Sequence, residues 1–207
     1  MEYRLHFNSR FYESKYGWKL TRETYIPNIT DSVKKLYSKK ELKEHLEECY
    51  INFDLNMEYF KKLKKEEFDK SLNKFLKKYP EFQKLENLES TKNMSGYYIM
   101  VLGEYKQVYI GTGKDIYKRL RRHMSDNQDV DCLIWGSVTN SILSINSFRP
   151  FDTTEIYVYF TSKTFESENK YIEEFSDKFV LNRTCGGIQE NGFLDVEENA
   201  RFRNLLK

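Results

Sequence analysis

Two short β-type runs, held four residues apart, constrain this chain more than any other feature. Tyr97-Tyr98-Ile99-Met100-Val101-Leu102 is apolar and rich in strand formers, and Gln107-Val108-Tyr109-Ile110 returns after the turn Gly103-Glu104-Tyr105-Lys106. So short a connection predicts a hairpin. A third run, Thr154-Glu155-Ile156-Tyr157-Val158-Tyr159-Phe160, has the same character. Between the second and third runs a basic helix is predicted from Lys114 to about His123. Apolar positions 130, 133, 134, 138, 142 and 145 predict a mostly buried helix within Asp129 to Ser147. Thr164 to Lys178 reads as helical, and Asn182 to Gly187 as a loop with a turn at Gly186-Gly187. Asp195 with Glu198 is placed to cap a last helix carrying Phe202, Leu205 and Leu206. The order β-β-α-(α)-β-α predicts an α/β (α+β) fold, a small three-stranded, mainly antiparallel sheet flanked by helices.

A helical region precedes this core. From Thr30 to about Tyr79 the apolar residues recur at helical spacing. Ser38 and Glu41 form the pattern of a capping box, in which each side chain satisfies an orphan backbone donor. Leu42, Leu46 and Cys49 share one face. Met57, Phe60, Leu63, Phe68, Leu72, Phe75, Leu76 and Tyr79 make a second face, and Pro80 is expected to stop the helix. The predicted organisation is therefore a helical N-terminal region at 1–93, a core domain at 94–187 with a helical insertion at about 125–154, and a C-terminal helical tail at 188–207. The lysine pairs at 61–62, 64–65 and 77–78 are interleaved with acids. That pattern accommodates a solvated, ion-paired surface or a DNA-contacting, specificity-setting element.

Composition removes several classes. No run of about 18 apolar residues exists, which predicts no membrane span. The first residues lack the apolar centre of a secretion signal. Three cysteines, Cys49, Cys132 and Cys185, are too few and too scattered for a disulfide framework or a Cys-rich zinc site, and they fit a reducing, cytoplasmic setting. Aromatic residues are 16% of the chain, which argues for an ordered core. The formal charge is only +2, from 34 basic and 32 acidic residues, so binding of an anionic polymer would have to be local.

One locality stands out. Between Gly96 and Ser125 lie Lys106, Lys114, Lys118, Arg119, Arg121 and Arg122, against only Glu104 and Asp115. A basic patch beside a hairpin suits phosphate binding, with Lys114, Lys118 and Arg122 as candidate phosphate contacts. Arg119 and His123 are four apart, on one helix face one turn apart. Arginine binds a phosphate oxygen and stabilises developing negative charge. Histidine orients a hydroxyl or moves a proton.

Gly96-Tyr97-Tyr98, then Tyr109-Ile110-Gly111 after ten residues, resembles the two-part signature of the GIY-YIG nuclease superfamily. Tyr97 stands where the name-giving motif has Ile; on a strand that middle side chain points away from the site. Arg119 sits at the motif's arginine, ten residues after Tyr109, and His123 at its His/Tyr position. Leu181-Asn182 resembles the family's Leu-Asn pair, and Glu168, followed by Tyr171 and Ile172, its metal-binding glutamate; Glu166 is the competing carboxylate. The resemblance spans roughly residues 95–187.

It implies a DNA endonuclease using one divalent metal, Mg²⁺ or Mn²⁺, held by Glu168. It further implies Tyr98 as general base, with the two tyrosines open to exchange of roles. Tyr109 would orient the water or phosphate, His123 would bond within the tyrosine pair, Arg119 would bind the scissile phosphate, and Asn182 would brace the site. A free-standing, site-specific enzyme of restriction or homing type, dimeric if it cuts both strands, is the leading expectation. The alternatives are an inactive nucleic-acid-binding, defence or anti-defence module of the same fold, and a nuclease for single-stranded DNA or RNA.

Overall fold

The computed structural model describes residues 19–26, 29–126 and 128–183. The expected turn at Gly186-Gly187 and the helix expected after Asp195 lie outside the described residues. In chain order the elements are α1 (Arg22–Tyr25), α2 (Asp31–Leu36), α3 (Lys39–Lys62), α4 (Lys65–Lys78), β1 (Gln83–Lys84), β2 (Gly96–Leu102), β3 (Gln107–Gly113), α5 (Ile116–Ser125), β4 (Glu155–Phe160) and α6 (Glu168–Glu173).

The sheet has four strands in the order β1-β4-β2-β3, every pairing antiparallel. The mixed α+β architecture is as expected, but the expected count of three strands is corrected to four. The addition is β1, whose Gln83 and Lys84 pair with Val158 and Tyr157. Two exposed polar residues carry no strand periodicity, so nothing in the sequence marks them.

Alternation along the strands sends successive side chains to opposite faces, and each face has its own core. Tyr98, Met100, Leu102, Ile156 and Val158 pack with Cys49, Phe53 and Phe60 of α3 and with Ile116, Leu120 and Met124 of α5. Tyr97, Ile99, Val101, Val108 and Ile110 pack with Phe68, Leu72 and Phe75 of α4 and with Tyr171 and Ile172 of α6. The face expected to run unbroken from Met57 to Tyr79 therefore divides. Leu63 touches both cores, and the chain passes there from one side of the sheet to the other. No Gly or Pro announces this break, and the helical spacing reads straight through it.

The capping box forms as expected. Ser38 Oγ accepts from the Glu41 N–H at 3.2 Å, and the Ser38 N–H donates to Glu41 Oε2 at 2.8 Å. In α4, Glu66 and Glu67 lie in the first turn and Lys77 and Lys78 in the last, which complements the helix dipole. Among the described residues no helix is long and apolar enough to cross a membrane.

The helix expected within Asp129 to Ser147 is absent; short 3₁₀ turns at Val130–Cys132 and Ile145–Ser147 replace it, and a third follows at Pro150–Asp152. Gly136 adopts φ +79, and the Ser141 and Ser144 hydroxyls accept from the Trp135 and Asn146 N–H groups. Buried backbone groups still need partners, and side chains supply them. Asn52 donates to the Val138 and Ser141 carbonyls, at 2.6 and 2.9 Å. Asn56 donates to Ser141 O at 2.9 Å and accepts from the Leu143 N–H. Arg183 donates to the carbonyls of Ile142, Cys132 and Leu133. Val130, Leu133, Ile142 and Ile145 are buried, and Ile134 and Val138 half-buried, without a helix. The helix expected from Thr164 to Lys178 is likewise reduced to α6 and a 3₁₀ turn at Asp177–Phe179. Phe165, at φ +73, cannot begin it.

Candidate active site

The hairpin places two phenols together. Tyr98 pairs with Gly111 and Met100 with Tyr109, so both tyrosines project from the same face, their ring centroids 6.4 Å apart. Gly111 is required because the Tyr98 ring lies across it: a Cβ there would meet Tyr98 Oη and Cζ at under 3.0 Å. Gly96, at φ +152, is required because a Cβ would run into the Tyr159 carbonyl oxygen on β4.

Helix α5 brings the next two groups. Asp115 caps it, accepting from the Lys118 N–H at 3.0 Å, and Ile116, Leu120 and Met124 seat it in the core. Arg119 is left half-buried and His123 buried. The charge of the Arg119 guanidinium acts on both phenols. His123 bridges two partners, with Nδ1 2.8 Å from Asn146 Oδ1 and Nε2 2.8 Å from Tyr98 Oη. An amide oxygen only accepts, so Nδ1 carries the hydrogen. Nε2 of the neutral ring then presents its lone pair, and the Tyr98 hydroxyl donates to it. The Tyr109 ring lies edge-on to His123, 5.0 Å between centroids.

Burial sets the charges. It pushes Tyr98 well above the ordinary tyrosine pKa; Tyr109 adds to the shift and Arg119 opposes it. Burial also raises Tyr109, again against Arg119. It drives His123 down to about 4, opposed by the Asn146 bond and assisted by the charge of Arg119. Burial works against the charge of Arg119 itself, but the two phenols outweigh it and its pKa is raised. At neutral pH the cluster therefore holds two protonated phenols, a neutral imidazole and one guanidinium cation.

Glu168 opens α6 and is half-buried; its charge acts on both Tyr98 and Tyr109. Glu166 is exposed. Asn182 stands apart from the phenols. It clasps β3 at its outer edge, accepting from the Ile110 N–H at 3.0 Å and donating to Ile110 O at 2.7 Å. Val180 forms a parallel bridge with Val108 beside it. Backbone groups at an open sheet edge are thereby satisfied between Tyr109 and Gly111.

The structure thus brings Tyr98, Tyr109, Arg119, His123 and Glu168 into one electrostatic neighbourhood. Lys114, Lys118 and Arg122 are exposed, and the charge of Arg122 helps to lower His123. Lys118 pairs with Asp115 at 3.3 Å and Arg122 with Asp126 at 2.9 Å. Such surface pairs are worth little. Asn146, which fixes the His123 tautomer, comes from the irregular segment, and no spacing or motif marks it.

The donor set limits the metal. Among the described residues no three or more His, Cys, Asp or Glu groups gather into a cluster able to hold an ion. A single hard carboxylate fits Mg²⁺ or Mn²⁺, which keep waters and take substrate oxygens, and does not fit an all-protein cage. No family model, no curated protein and no solved structure matches this chain.

Proposed function

We propose that the chain is a divalent-metal-dependent endonuclease of the GIY-YIG type that hydrolyses phosphodiester bonds in DNA. The observation that carries this reading is the Tyr98–His123–Asn146 chain of hydrogen bonds beside the half-buried Arg119. It is a proton path next to a cation, which is what phosphodiester hydrolysis by water requires. Arg119 binds a non-bridging phosphate oxygen. Water attacks phosphorus and gives its proton to Tyr98 Oη, as Tyr98 passes its own hydrogen to His123 Nε2. The bond from phosphorus to the leaving oxygen breaks, and that oxygen takes a proton from solvent.

Both phenols are strongly protonated at rest, so a standing phenolate is not the base. Tyr98 rather than Tyr109 takes the proton, because Tyr98 already donates to an acceptor. Tyr109 orients the water or the phosphate. Glu168 would hold Mg²⁺ or Mn²⁺. When bound, that ion supplies charge stabilisation at the phosphate and leaving oxygen. Lys114, Lys118 and Arg122 track the strand beyond the scissile bond. Free Cys49 and Cys132 suit work inside a reducing cell. One site cuts one strand, so a double-strand break takes a second copy or a second binding event.

The test is incubation of the full chain with long mixed-sequence duplex DNA, Mg²⁺ or Mn²⁺, and a matched RNA. Discrete DNA fragments are expected for a site-specific enzyme. A smear would remove site specificity, and preferential RNA cutting would replace DNA as the substrate. Binding without cutting under every condition would overturn the enzyme in favour of an inactive binding module.

A further inference from the structure

Tyr97 departs from the motif this chain otherwise resembles, and its surroundings give the departure a use. It lies on the sheet face opposite the phenol cluster, 1% exposed, with its ring against Tyr159 and Tyr171 at 6.0 and 5.1 Å between centroids. An isoleucine would fill such a core position, but it would lack the hydroxyl. Here Tyr97 Oη donates to the Lys163 carbonyl at 2.7 Å and accepts from the Ser167 N–H at 3.0 Å. Those two residues flank Phe165, whose φ of +73 is strained for a side chain with a Cβ. Ser167 immediately precedes Glu168, the first residue of α6. A single buried hydroxyl therefore ties together both ends of the strained turn that delivers Glu168.

We propose that Tyr97 is a positioning residue: its hydroxyl fixes the 163–167 turn and so sets Glu168 for metal binding. The inference rests on the nuclease reading for its metal, but the clamp itself is measurable without activity. The test is Tyr97→Phe in the full chain, which keeps the ring and removes only the two hydrogen bonds. Hydrogen exchange at the Ser167 amide is expected to accelerate about tenfold, as loss of one buried hydrogen bond implies. Amides of β2 and β4 should exchange at the wild-type rate. In Mn²⁺-dependent nicking of supercoiled plasmid, half-saturating Mn²⁺ should rise by roughly the same factor. Saturating Mn²⁺ should restore kcat, with KM for the plasmid unchanged.

Unchanged Ser167 exchange and unchanged Mn²⁺ dependence would overturn the proposal. Uniform acceleration across β2 and β4, with a kcat that Mn²⁺ does not restore, would reduce Tyr97 to a core residue and also overturn it. If the wild type cuts nothing, the nuclease reading fails and takes the metal role with it; the exchange data still decide whether the clamp exists.

Discussion

Tyr97 and Tyr98 are adjacent in sequence and sit on opposite faces of one strand. Around Tyr98 the face is polar at its centre, with Arg119, His123 and Tyr109 gathered and Asn146 behind them. Around Tyr97 it is a mesh of rings: Phe75, Tyr79, Phe82, Tyr159, Tyr171 and Phe175 lie 4.5–6.2 Å apart in successive pairs. The contrast separates two kinds of work. The aromatic face supplies rigidity through burial and ring packing. The other face keeps a cation and the Tyr98–His123–Asn146 chain of hydrogen bonds at its centre.

The sharpest way to break this division is to damage one face at a time. Tyr98→Phe should lower DNA cleavage roughly 10²–10⁴-fold, the usual contribution of a positioned proton carrier. Its melting temperature should fall by only a few degrees, since one hydrogen bond is lost. Plasmid nicking beside thermal melting reads both; a large melting loss with normal cutting would reverse the assignment of the faces. Phe75→Ala is the opposite case. It should cost about 3–5 kcal/mol of stability in urea unfolding, as large-to-small core changes do, while kcat per folded molecule stays within about twofold.

Asn146→Ala tests whether the irregular segment serves the site. Without the acceptor, the His123 tautomer is no longer fixed, and cutting should drop roughly ten- to a hundredfold, the scale of losing an outer-shell partner. Unchanged kcat would mean that Asn146 only tethers its loop.

A subtler probe is pH. His123 is held near pKa 4 in the fold and titrates near 6.5 when unfolded. Between those values the unfolded chain binds the extra proton, so stability should fall as pH drops from about 6.5 to 4. His123→Gln should flatten that part of the profile in urea unfolding; an unchanged slope would place the pH sensitivity elsewhere. The smallest expected effect is Lys118→Ala. It should weaken DNA binding about equally for all sequences and reduce the salt slope by about one. An unaltered slope would remove Lys118 from the phosphate track.

Legibility in the sequence followed the same division. The hairpin, β4, the Ser38–Glu41 box and α5 were readable because period and turn chemistry mark them locally. Arg119 and His123 were readable from spacing, since one helix turn fixes their relation, whereas Tyr98 and Tyr109 were marked only by the resemblance. The passage of the chain around the sheet at Leu63 was not, because helical periodicity is blind to which side of a sheet a helix covers. The course of segment 129–147 was not legible, because its apolar residues have helical spacing, while the side chains that satisfy its backbone are Asn52, Asn56 and Arg183, far away in the chain. The tautomer set by Asn146 and the clamp made by Tyr97 depend on long-range hydrogen bonds that no local pattern encodes.

The central claim is that the Tyr98 face is a metal-dependent nuclease site served by Glu168. The most direct measurement is nicking of supercoiled plasmid by the purified full chain, with Mg²⁺ or Mn²⁺ and with chelator, beside Glu168→Ala. The account predicts metal-dependent cutting by the wild type and its loss in the variant, with the variant folded and still able to bind DNA. Cutting that survives Glu168→Ala, or a wild type that binds DNA and never cuts it, would contradict it.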